Sequence, residues 1–161
     1  MNIWSRIKQL KPEQLIQLSL LFISKPLLIG PTLRATKRTM DVCDTLFDTS
    51  HHKSNRANAF RHAFWNILIC QKTLKKTQNI EKSIIWTQKV TDLYEKVTDN
   101  EKIEKAMDLH NNRVGLHLFS SVFDKKEKEI VTLLREMMKK SEKAISFEDF
   151  NRFENSLVYL E

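Results

Sequence analysis

Residues that interrupt helices are scarce in this chain, with 2 Gly and 3 Pro among 161 positions. With Leu, Lys, Glu and Ile abundant, that scarcity points to helices joined by short loops, and an all-α fold is expected. Cysteine is almost absent too. Cys43 and Cys70 have no metal-like spacing and stand among apolar neighbours, which excludes a disulfide scaffold and fits a reducing, cytoplasmic setting. A long hydrophobic run is missing as well. The apolar stretch from Leu15 to Ile29 is broken by Gln17 and by Lys25-Pro26, short of the roughly 20 apolar residues a membrane span needs. A signal peptide is disfavoured on the same grounds: Arg6, Lys8 and Lys11 precede the run, but Lys25-Pro26 interrupts it and no A-x-A site follows.

Acidic residues are nearly missing from one end only. Residues 1–40 contain seven basic side chains and the single acid Glu13, so they carry +6 of the formal net charge of +7. The remainder is almost balanced, which argues against a nucleic-acid groove across the fold. A basic segment beside an apolar run instead suits contact with an anionic membrane surface through residues 1–40.

What the chain does contain is helical periodicity. One domain over 1–161 is expected, a compact bundle of about six or seven helices. It divides into a basic and apolar N-terminal part (1–30), a core (31–122) and C-terminal helices (123–161). Helices are predicted near 12–24, 31–47, 54–76, 80–97, 100–122 and 125–140, with a short one after Ser146. Gly30-Pro31 reads as the break before the second helix, and Asn79 as the cap of the fourth. Asp99 or Asn100 is expected to cap the fifth, and Asp124 with Glu127 to open the sixth.

Two of these helices carry polar groups where apolar ones belong. At about 100° per residue, Asn58, His62, Trp65 and Ile69 share the front of the 54–76 helix, with Arg61 and Asn66 on its shoulders. Ala59, Phe60, Ala63, Phe64, Ile67 and Cys70 form its apolar back. On the 100–122 helix, Asp108, Asn112, Gly115 and Phe119 make one line with Asn111 beside it, flanked by Met107, Val114, Leu118, Leu109 and Leu116. His110, Arg113 and His117 fall on the opposite side and are expected in solvent. Gly115 costs roughly 1 kcal/mol relative to Ala in a helix, which close approach of another helix or of a ligand would explain.

Packing the two polar lines together predicts a contact between His62 and Asp108. A carboxylate on one ring nitrogen would fix the tautomer and leave the other as a base, while Arg61, Asn111 and Asn112 could hold an anion or oxyanion. His51-His52 together with His62 offer a metal set on paper. Adjacent loop histidines are usually solvated, however, so no metal or cofactor is expected.

The two segments, Asn-x-x-Arg-His-x-x-Trp-Asn at 58–66 and Met-Asp-Leu-x-Asn-Asn-x-x-Gly at 107–115, resemble a family of uncharacterised bacterial all-helical domains. Related domains stand at the C-terminal ends of some polymorphic toxins. The likeness covers about residues 31–120 and implies site roles for Asn58, Arg61, His62, Trp65, Asn66, Asp108, Asn111, Asn112 and Gly115. It also implies a His-Glu pair between the motifs, where this chain reads Tyr94-Glu95. Glu95 lies off the Trp86/Leu93 stripe and ranks second. A looser likeness to helical phospholipases is one of geometry alone, because Ala63 rather than an acid follows His62 and no Gly-rich calcium loop is present. Two readings stand: a binding or structural module built on a buried polar network, and a small hydrolase with a His62–Asp108 dyad acting on a phosphate-bearing or lipid-like substrate.

Overall fold

The computed structural model describes residues 11–98 and 101–161, apart from the side chain of Leu18. Pro12–Ser24 forms α1 and Pro26–Phe47 forms α2, and the chain turns by 117° between them at Lys25. A 3-10 turn, Asp48–His52, leads to α3 (Arg56–Thr77), followed by α4 (Ile80–Val97), α5 (Lys102–Val122) and α6 (Glu127–Lys139). The chain ends in two-residue strands β1 (Glu142–Lys143) and β2 (Val158–Tyr159) on either side of the short helix α7, Asp149–Arg152. The fold is all-α, as its composition predicts, and the small parallel pairing of β1 with β2 is an addition.

The helix ends follow local chemistry. The Asn55 carboxamide accepts from the Ala57 and Asn58 amides at the start of α3, and Asn79 accepts from Lys82 at the start of α4 as expected. Two boundaries differ from the reading. The second helix begins at Pro26 instead of Pro31. Pro26 takes the first position, and Gly30, lacking a Cβ, relieves the clash that normally bars helical backbone before a proline. The sixth helix begins at Glu127, where Glu129 accepts from the Lys126 amide, so Asp124 with Glu127 is not its capping pair. The proposed caps Asp99 and Asn100 lie outside the described residues.

α3 is the centre of the bundle, touching α2, α4, α5 and α6. Its back, from Ala59 to Cys70, is fully buried with Phe119, Ile130 and Leu134. The neighbouring helices meet it through small hydroxyl residues. Thr32, Thr36 and Thr39 on α2, and Ser83, Thr87 and Thr91 on α4, are buried and bond the carbonyl one turn back in their own helices. Two tryptophans use these hydroxyls as acceptors: Trp65 Nε1 donates to Thr36 and Trp86 Nε1 to Thr32. Among the described residues no single helix is long and apolar enough to cross a membrane; only the bent α1–α2 pair passes by length and composition.

Candidate functional site

The front of α3 meets α4 and α5 at a point where almost nothing is wet. His62, Asn66, Glu95, Asp108 and Asn112 are all buried, and Arg61 reaches in from the rim. The expected contact is present: His62 Nε2 lies 3.2 Å from Asp108 Oδ1.

The hydrogen bonds fix the position of the His62 ring. Asn66 Nδ2 donates to the His62 carbonyl at 2.9 Å and to Asn112 Oδ1 at 2.7 Å. The same Asn112 oxygen lies 3.0 Å from His62 Nδ1. On the other side the Arg61 guanidinium, which can only donate, stands 2.8 Å from Nε2. The His62 ring is thus held between two sets of partners, Asn112 and Glu95 at Nδ1 and Arg61 and Asp108 at Nε2. The network runs on into α4. Thr91 donates to Asn66 Oδ1, Asn112 Nδ2 reaches Glu95 Oε1 at 3.5 Å, and Glu95 Oε1 is 3.6 Å from His62 Nδ1.

Glu95 is the residue that periodicity ranked too low. It is fully buried and turns toward His62, away from the α4 apolar stripe but into the middle of the bundle. The signal that favoured it was the resemblance, which placed an acid at that position. Tyr94 packs its ring edge on Trp65 with centroids 5.3 Å apart.

Other expected site residues are placed elsewhere. Gly115 packs against α3: a Cβ there would stand 2.5 Å from the Ala63 carbonyl oxygen, so the glycine serves helix contact. Asn111 faces the C-terminal segment, donating to the Val158 carbonyl and accepting from its amide, and so acts as a surrogate strand partner for β2. Trp65 contributes one face to the site and its indole N–H to α2. Asn58 lies one turn before His62, and its Oδ1 is buried without a hydrogen-bond partner among the described residues.

Two histidines overturn the expectation of solvent exposure. His110 is 3% exposed because the C-terminal segment wraps that side of α5, where the Ser156 carbonyl accepts from Nε2 and Phe150 packs on the ring. Burial depresses its pKa below the ordinary 6.5. His51 is fully buried, with Nε2 2.7 Å from Asp44 Oδ1 and its carbonyl accepting from Arg61 Nη1. Its pKa is depressed by burial, against the pull of Asp44. Arg61 thus ties the His51–His52 turn to His62. His117 and Arg113 are exposed as read, and burial pushes both thiols, Cys43 and Cys70, up to about 12, which leaves them inert.

The model of a family described as "Domain of unknown function (DUF6973)" matches residues 19–142. The chain belongs to this family. The match takes in His62, Glu95, Asp108 and Asn112, whereas β2 and the segment that buries His110 lie beyond it. Neither a curated protein nor a solved structure matches the chain.

Proposed function

We propose that this protein is a peripheral binding module: the buried polar network is its rigid frame, and the α1–α2 corner is its docking surface for an anionic membrane. The observation that carries this reading is a bare aliphatic stripe. Ile16, Leu20 and Ile23 recur at helical spacing along α1 and are 57%, 63% and 72% exposed, and Leu27 continues the patch at 77%. The opposite side of α1 is occupied, since Leu21 and Phe22 pack on the core and Phe22 meets Trp86. Lys11 and Lys25 flank the stripe, with Arg34 and Lys37 exposed on α2. Large aliphatics so exposed beside cations suit the headgroup boundary, where each Lys or Arg contributes about 1 kcal/mol on an anionic surface.

The test is sedimentation of the full chain with phosphatidylcholine vesicles, with and without phosphatidylglycerol. Binding is expected with the anionic lipid, weakened by salt and abolished by Ile16→Glu, Leu20→Glu and Ile23→Glu together. Equal recovery of wild type and triple variant in the pellet would refute docking through α1.

A hydrolase is the second reading, favoured by the 3.2 Å contact of His62 Nε2 with Asp108 and by the likeness to toxin-borne domains. It ranks below the module because both ring nitrogens are already engaged inside the bundle. Loss of turnover on lipid or nucleotide extracts in a folded His62→Ala protein would reverse that order.

A further inference from the structure

We infer that His62, Glu95 and Asp108 form a site for one divalent transition-metal ion inside the bundle. One ligand atom from each, drawn from α3, α4 and α5, lies within 4.8 Å of the other two, and all three side chains are buried. Three helices converging inward-facing His and carboxylate groups on one point is how helical bundles hold metals. The 3.2 Å between His62 Nε2 and Asp108 Oδ1 is close to the roughly 3.4 Å that separates ligands sharing a tetrahedral ion with ~2.1 Å bonds.

The surroundings of the His62 ring fit as well. A metal-binding histidine donates its other ring N–H to a fixed acceptor; with the ion on Nε2 that acceptor is Asn112 Oδ1, 3.0 Å from Nδ1 and itself oriented by Asn66. Nε2 is the ring nitrogen on the side of Asp108. A divalent ion in place of the guanidinium would set its charge directly against the Glu95 and Asp108 carboxyl groups. Arg61 has partners to retain if it swings away, the His51 carbonyl at 2.7 Å and His52 Nδ1 at 3.4 Å. Nitrogen and oxygen donors together suit Zn²⁺, Mn²⁺ or Fe²⁺ rather than Ca²⁺ or Cu⁺.

A second cluster, with Asp44 exposed, His51 buried and His52 half-buried, brings its ligand atoms equally close and provides an internal control. The experiment is calorimetric titration of the chelator-treated full chain with Zn²⁺ and with Mn²⁺, read beside its melting temperature. Expected are one ion per chain, a raised melting temperature, and affinity weakened roughly 100-fold or more by Glu95→Gln or Asp108→Asn. Asp44→Asn should leave binding unchanged. If the carboxamide variants fail to fold, Mn²⁺ broadening of the wild-type histidine NMR signals decides: His62 must broaden before His51 and His52. Absence of wild-type binding, binding insensitive to Glu95 and Asp108, or broadening centred on His51 and His52 overturns the site.

Discussion

The α3–α4–α5 junction and the α1–α2 corner invert the usual arrangement in opposite senses. The first buries His62, Glu95, Asp108 and three asparagines; the second leaves Ile16, Leu20, Ile23 and Leu27 bare. Their energetics differ accordingly. A buried charge or amide is costly unless every partner is in place, so the junction couples many residues to folding. An exposed aliphatic costs the folded state little, and the corner is therefore decoupled from stability and available for contact. Folding pressure alone accounts for neither, but each leaves a different experimental trace.

That contrast is broken or sharpened by substitution. The largest effect is expected from Arg61→Met, which removes the guanidinium hydrogen bonds to the His51 carbonyl and to His62 Nε2 and should cost about 3 kcal/mol or more in denaturant unfolding. If the loss is within the surface range, the junction is not the charged frame described here. Gly115→Ala follows, at about 1–3 kcal/mol, because its Cβ would meet the Ala63 backbone at 2.5–3.0 Å and force α3 and α5 apart. A neutral Gly115→Ala would mean that the helices can separate freely. The smallest structural effect belongs to the corner: Ile23→Glu should change stability by only about 0.5 kcal/mol in either direction, while reducing vesicle binding.

Acid should act on the interior alone. His51 and His110 both have folded-state pKa values below 6.5, so the native protein binds fewer protons than the unfolded chain as pH falls. Their contribution is complete above pH 6.5 and is lost as pH falls below it, through the depressed folded values. The melting temperature should therefore drop between about pH 7 and pH 5, and His110→Gln should flatten the curve. A pH-independent melting temperature across that range would contradict the burial of these rings.

How much was legible in the sequence differs between the two regions. The polar lines of α3 and α5, the His62–Asp108 contact and the Asn79 cap follow from spacing, because side-chain direction is fixed once a helix is assigned. His110 was misplaced for a related reason: periodicity describes one helix and its nearest neighbour, while the residues burying His110 come from Ser156 and Phe150, far along the chain. Glu95 was ranked low because an apolar stripe marks only one buried direction, and α4 is buried on a second. Gly115 shows that a correct local inference, close approach, can be met by backbone where a ligand was equally open. The α1 stripe was visible as composition, but only the fold shows that Leu21 and Phe22 face the core and Ile16, Leu20 and Ile23 do not.

The most direct measurement crosses the two regions: melting temperature and sedimentation with anionic vesicles, recorded together for wild type, Glu95→Gln and the Ile16→Glu, Leu20→Glu, Ile23→Glu triple variant. Glu95→Gln should lower the melting temperature and retain vesicle binding below its melt, and the triple variant should do the reverse. Vesicle binding unaffected by the triple variant, or lost in folded Glu95→Gln, would contradict the division of this protein into a buried polar frame and an exposed docking corner.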